Sequence, residues 1–381
     1  MQGGLAQYLL DAGVRLAEPG VWKAWDPVSA HGTPLRLRGM EDVACSSAPM
    51  VLRTNRTRVV APMCLMDKTS MISQRIRLHG RWDDCAPLTA HWRRVMAEVA
   101  GRGAAASELG VPPLLLEIGG NIGACTLELL LSTDARVIAF EPSPRNLFHL
   151  TSTLLLASSK ADAGKARQSA HDAASSPSGG GDVGPQRKYP QRSGRVYANV
   201  GVDVGVALRE RAVVFPLAAA DVATTSTLYA DPDNSGNSVV GTSALNKRSA
   251  ARLHTFNVTL RRVDDLLPAR LSVPFIKIDA QGFECSVLRG MARLLRSRSV
   301  RLIAMELWPH GLHAQGCSEA EVLTLLRSYG FATSYSWAKS PADCRNPSHD
   351  HQGATNVRPT NQAMTTTRAP GCMTDLIASL V

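Results

Sequence analysis

The chain has 381 residues, 44% of them apolar, and a formal charge of +10. That length fits one large α/β domain with extensions and a sizeable core, and no apolar run reaches the roughly 18 residues of a membrane-spanning helix. The arginines are scattered rather than gathered in one segment, so the positive charge marks no nucleic-acid surface, and nucleic acid is not an expected partner.

The first twenty residues lack the basic start and apolar core of a leader peptide. The default expectation is a soluble cytoplasmic chain. Eight cysteines are present, none in C-x-x-C or zinc-type spacing, so no metal site is expected. Cys125 and Cys285 fall inside predicted core elements and read as buried free thiols. Cys45, Cys64, Cys85, Cys317, Cys344 and Cys372 are available to pair in an oxidising compartment. Asn55-Arg-Thr and Asn257-Val-Thr are glycosylation sequons, which keep a secretory-pathway setting open.

Residues 1–95 read as a partly helical N-terminal extension. Met71, Ile72, Ile76 and Leu78 have helical spacing, with Thr69 or Ser70 as N-cap and His79-Gly80 as stop. A second helix is predicted over Leu88–Val99, ended by Gly101 and Gly103.

Strands and helices then alternate from about 96 to 340, which predicts a doubly wound, Rossmann-like sheet with helices on both faces. Its predicted strands include Leu114–Ile118, Val137–Phe140, Val273–Asp279, Val300–Leu307 and Phe331–Trp337. Thr227–Tyr229 and Phe256–Leu260 are shorter ones, and a further strand ends at Ala218–Asp221. Predicted helices start at Cys125 and span Asn146–Leu156, Phe283–Leu295 and Glu319–Tyr329. Residues 157–195, rich in Ser, Ala, Gly, Lys and Arg, read as a disordered insertion. Residues 341–381 read as a mostly flexible tail with a short helical turn near Leu376.

Two runs carry chemistry. In Leu114-Leu-Leu-Glu-Ile-Gly-Gly-Asn-Ile-Gly123, a strand ending near Glu117 meets a glycine turn (Gly119, Gly120, Gly123) that opens a helix, bringing backbone N–H groups toward a nucleotide-like ligand. Eighteen residues after Gly123, the next strand ends in Glu141, placed to grip two ribose hydroxyls. Asn121 occupies the second glycine position of a dinucleotide turn, where its side chain crowds a pyrophosphate. Glu117 repels a diphosphate and suits a cationic ligand. These features favour S-adenosylmethionine over NAD. The second run is Phe275-Ile-Lys-Ile-Asp-Ala-Gln-Gly-Phe-Glu284. Ligands in open α/β sheets sit beyond the carboxyl ends of strands, so Asp279, Glu284 and Glu306 should rim the pocket, with Lys277 an ion-pair partner of Asp279 and Glu306. Asp279 is the first candidate for a general base, followed by Glu306 and by His310, on the loop after the strand that carries Glu306.

With these runs in view, the chain resembles the FkbM-type family of S-adenosylmethionine-dependent methyltransferases. The resemblance is carried, in order, by Leu116-Glu-Ile-Gly-Gly-Asn-Ile-Gly-Ala, Ala139-Phe-Glu-Pro-Ser-Pro-Arg-Asn, Ala218-Ala-Ala-Asp, Val263-Asp-Asp-Leu-Leu, Ile276-Lys-Ile-Asp-Ala-Gln-Gly-Phe-Glu, and the strand ending in Glu306. Upstream, Ser70-Met-Ile-Ser-Gln-Arg-Ile-Arg-Leu-His-Gly-Arg-Trp-Asp is similar to the lead-in helix of some members. The resemblance implies a class I methyltransferase domain and adds Ala219 and Asp221 to the cofactor set. It also implies O-methylation of a sugar or small-molecule hydroxyl. No Asn-Pro-Pro-Tyr or Asp-Pro-Pro-Tyr run follows the fourth strand, which argues against amide- and base-directed N-methylation. Three departures stand out: Glu117 for Asp, Gly120 for Ala, and Gln281 for Glu. An inactive methyltransferase-like binding or scaffold protein, and an RNA or protein methyltransferase guided by the basic insertion, are the alternatives.

Overall fold

A computed structural model describes residues 4–38, 40, 42–53, 58–66, 70–101, 114–158, 208–231, 235–242, 253–338 and 374–381. Most of the 157–195 insertion, Asn55, Thr69, Cys344 and Cys372 lie outside them. The N-terminal part holds α1 (Leu5–Asp11), the short strands β1 (Ala17–Glu18) and β2 (Trp22–Lys23), the paired strands β3 (Ser46–Arg53) and β4 (Arg58–Leu65), α2 (Met71–His79) and α3 (Cys85–Gly101). Next come β5 (Leu114–Ile118), α4 (Ala124–Ser132), β6 (Arg136–Phe140), α5 (residues 144–158), β7 (Ala212–Phe215) and β8 (Ala218–Ala219). The chain continues through β9 (Thr224–Ala230), β10 (Val239–Val240), β11 (His254–Arg261), α6 (Val263–Leu266), β12 (Phe275–Ile278), α7 (Glu284–Gly290) and α8 (Ala292–Arg296). It ends with β13 (Leu302–Leu307), α9 (Pro309–Ala314), α10 (Glu319–Ser328), β14 (Phe331–Ala338) and β15 (Thr374–Leu380).

The main sheet has the order β14-β15-β13-β12-β5-β6-β7. All of its neighbours pair in parallel except β15, which runs antiparallel to both β13 and β14. Strand alternation sends Leu114, Leu116 and Ile118 to one face, packed with Leu5, Val287, Leu295 and Leu326. Leu115, Val137 and Phe275 go to the other, packed with Ile76, Trp92, Leu127 and Leu150. Both faces are thus buried under helices, as a parallel sheet requires.

Three sequence expectations change here. The tail carries no helical turn near Leu376. Thr374–Leu380 is an interior strand, hydrogen-bonded on both sides, with Leu376, Ile377 and Ala378 buried. A short apolar run does not distinguish a buried strand from a turn of helix. β3 and β4 form an antiparallel pair the sequence did not announce, because Pro49 and Pro62 interrupt both runs. The two prolines face each other, a pairing available only at a non-hydrogen-bonded position of the ladder. Finally, Cys125 and Cys285 are not free thiols: Cys85–Cys125, Cys285–Cys317 and Cys45–Cys64 are disulfides.

The N-terminal elements join the same cores. Ser70 caps α2, its Oγ accepting from the Ser73 N–H at 3.3 Å. Met50, Met63, Ile76 and Trp92 pack on the face that carries Leu115, and Trp25 bridges the backbone of β7 at Val214.

Candidate active site

A cleft opens at the carboxyl ends of β5, β6 and β12, where ligands bind in open α/β sheets. Gly119, Asn121, Glu141, Ala219 and Asp279 line it, together with Gln281. A second, smaller sheet of order β10-β9-β11-β8 adds Val240 to the lining, and Gly236 and Ser238 come from the segment just before β10.

The glycine turn is built by close approach. Gly119 has φ +83°, and a Cβ there would sit 2.0 Å from the Asp279 carbonyl oxygen, so the turn and the loop after β12 meet backbone to backbone. The amides of this turn are consumed internally. Gly119 and Gly120 both donate to the Phe140 carbonyl at 2.9 and 3.0 Å. Asn121 donates to Glu141 Oε2 at 2.7 Å, Ile122 donates to Asn121 Oδ1 at 2.8 Å, and Gly123 donates to the Gly120 carbonyl at 2.9 Å. The bare N–H groups expected from the sequence are therefore not on offer. A pyrophosphate needs such donors, and here the amides of Gly119 to Gly123 already have partners within the protein.

Glu141 closes the unit. Its Oε1 accepts from the Ser143 amide at 2.8 Å and the Asn146 side chain at 3.3 Å. A carboxylate has about four acceptor sites, so capacity remains for a ribose hydroxyl. Burial outweighs these bonds and pushes the Glu141 carboxyl up to about 7.

The second constellation centres on Lys277. Its Nζ donates to the Gly119 carbonyl at 2.8 Å and lies 3.5 Å from both Glu117 Oε1 and Asp279 Oδ2. Burial by itself would lower this ammonium, but Asp279, Glu117 and Glu306 outweigh it and hold it above the ordinary lysine value. Gln281 Nε2 bridges Asp279 Oδ1 and Glu306 Oε2, both at 2.8 Å, from a backbone with φ +50°. Glu284 Oε1 accepts from the Ala280 and Gly282 amides at 3.2 and 3.1 Å and so holds the loop after β12; burial raises this carboxyl to about 7.

The methyltransferase FkbM domain profile matches residues 117–332. The chain belongs to the FkbM methyltransferase family. Its fold is a mixed α/β one, a large and mostly parallel sheet with helices on both faces, as the doubly wound expectation had it. Among solved structures, this FkbM chain is similar to methyltransferase FkbM from Methylobacillus flagellatus KT, at 15% identity and a TM-score of 0.30, covering 59% of this chain. It spans only 40% of the length of that protein. It is also similar to a precorrin-6y C5,15-methyltransferase from Geobacter metallireducens GS-15, at 9% identity and a TM-score of 0.27, covering 71% of this chain and 81% of that one. A third is the magnesium protoporphyrin IX methyltransferase of Synechocystis PCC 6803 with bound SAM, at 11% identity and a TM-score of 0.26, covering 82% of this chain and 84% of that one. No curated protein matches the chain significantly.

Not every residue singled out in the FkbM sequence reaches the cleft wall. Glu117 is fully buried beneath it, accepting from Thr126 Oγ1 and facing Lys277; burial raises its carboxyl despite that lysine. Gly123 has φ +84° and starts α4, and a Cβ on it or on Gly120 would press on Leu150. Asp221 is not among the residues that line the cleft: its Oδ1 accepts from Ser286 Oγ at 2.7 Å and its carboxylate faces Arg289. Glu306 accepts from Gln281 Nε2, and its charge also helps hold Lys277 protonated. His310 is exposed on α9 rather than on a loop, with Trp308 beside it. The wall formed by Gly236, Ser238 and Val240 was invisible in the sequence because that segment carries no motif.

Proposed function

We propose that the protein transfers a methyl group from S-adenosylmethionine to a hydroxyl of a sugar or small molecule. The observation that carries this reading is the donor-poor glycine turn locked to Glu141 in the same cleft as Asp279. A turn whose amides are satisfied internally suits a phosphate-free ligand bearing a ribose and positive charge. When bound, that ligand supplies a methyl already activated on a sulfonium, so alignment and exclusion of water are the protein's main tasks.

Glu141 accepts from the ribose hydroxyls, and the Gly119–Asn121 backbone sets the depth of the ligand. Asp279 takes the proton of the acceptor hydroxyl as its oxygen bonds to the methyl carbon and the sulfur–carbon bond breaks. Gln281 and Lys277 position the Asp279 carboxylate through its two oxygens. Glu306, tied to the same Gln281 amide, stands behind Asp279. The reading is tested by incubating the protein with labelled methyl donor and pooled glycans or metabolites. Label should appear on a hydroxyl and be lost in Asp279→Asn. Label on nitrogen, or on RNA or protein alone, would refute the acceptor class.

A further inference from the structure

Every cysteine among the described residues is paired. Cys125, two residues past Gly123, is bonded to Cys85 of α3, with α-carbons 4.8 Å apart. Cys285, directly after Glu284, is bonded to Cys317 beyond α9, with α-carbons 6.4 Å apart. Cys45 is bonded to Cys64 of β4, with α-carbons 5.1 Å apart, and Cys64 Sγ lies 3.4 Å from the ring of His149 on α5. All three separations fall within disulfide range, and such bonds persist where thiols are kept oxidised.

An independent feature points to the same setting. The triplet Asn257-Val258-Thr259 lies on β11. Alternation turns Val258 into the small sheet's core while Asn257 is exposed and Thr259 half-buried on the opposite face. Across the ladder they face Thr227 and Thr225, so the surface around Asn257 is a plane of uncharged hydroxyls. It has the residue pattern and the room that an attached oligosaccharide needs.

We propose that Asn257 carries an N-linked glycan and that the protein matures in an oxidising compartment of the secretory pathway. The amide nitrogen of Asn257 bonds to the anomeric carbon of an oligosaccharide carried on a lipid diphosphate. The diphosphate leaves and the amide gives up one proton. Each disulfide forms as two thiols release two protons and pass two electrons to a thiol oxidase of that compartment. None of this depends on methyl transfer.

The test uses the full chain behind a supplied leader in a eukaryotic secretory cell, alongside Asn257→Gln, Thr259→Val and Thr259→Ser. Peptide:N-glycosidase should convert residue 257 to Asp in the wild type and in Thr259→Ser, seen by peptide mass mapping. Asn257→Gln and Thr259→Val should each run one glycan lighter. A non-reducing peptide map should recover the three pairs. Chain retained in the cell is mapped the same way from its microsomal fraction. An unmodified Asn257 peptide in material that has entered the microsomes overturns the glycan. Cysteines that all alkylate without reduction overturn the compartment.

Discussion

The backbone N–H of Asn121 donates to Glu141 Oε2 at 2.7 Å, so the glycine turn after β5 and the carboxylate after β6 form one unit. Removing Glu141 therefore does two things: it deletes the ribose acceptor and frees the turn. Glu141→Ala should weaken S-adenosylmethionine binding by about 1.5–3 kcal/mol, the scale of charge-assisted hydrogen bonds. Isothermal titration checks this, and an unchanged affinity would remove Glu141 from the ribose site.

The two carboxyls raised to about 7 by burial, Glu141 and Glu284, set a pH dependence. Folding holds their protons more tightly than the unfolded chain does, whose carboxyls titrate near the ordinary value of 4.5. Their contribution to stability is complete below that value and is lost as pH rises through about 7. The loss should be on the order of a few kcal/mol. Urea midpoints of the ligand-free protein should fall between about pH 5 and about pH 8, and less so in a Glu141→Gln, Glu284→Gln double variant. A slope identical in the two proteins counts against the assignment.

Donor affinity should show the opposite trend, because the ribose hydroxyls donate to ionised Glu141. Binding should tighten up to about pH 8 and release a proton, read as a buffer-dependent enthalpy in titration. Affinity that is flat across that range would contradict the linkage.

Asp279→Asn should lower turnover by about 10²–10⁴-fold, the usual contribution of a positioned base, with donor affinity nearly intact. Gln281→Glu replaces the amide bridge with a third carboxylate beside Asp279 and Glu306. It should move the acidic limb of the pH–rate profile to higher pH. A fully active Asp279→Asn protein would leave the reaction without this base.

Much of the site was legible because its signals are local. The Leu114–Gly123 run specifies strand, turn and helix through adjacent residues, and Ser70 caps α2 through a partner three residues away. What stayed hidden depends on distant partners. Nothing near Gly119 announces that its amide goes to Phe140 or its carbonyl to Lys277. Nothing near Asp221 announces its partners Ser286 and Arg289, which lie more than sixty residues along the chain. The disulfides join residues that are 19, 32 and 40 positions apart, separations that spacing alone does not pair.

The same limit hid β15, and it yields a stability prediction. Truncation before Thr374 removes a strand from between β13 and β14 and exposes their facing edges. Loss of an interior strand should abolish cooperative thermal unfolding and cause aggregation. A truncated chain that melts like the full one would contradict the register.

The ligand proposed for the cleft is a phosphate-free, positively charged nucleoside donor. Titration of the full chain with S-adenosylmethionine and, separately, with NAD tests it most directly. The account predicts saturable binding of S-adenosylmethionine, weakened in Glu141→Ala, and no detectable heat from NAD. Binding of NAD with none of S-adenosylmethionine would contradict it.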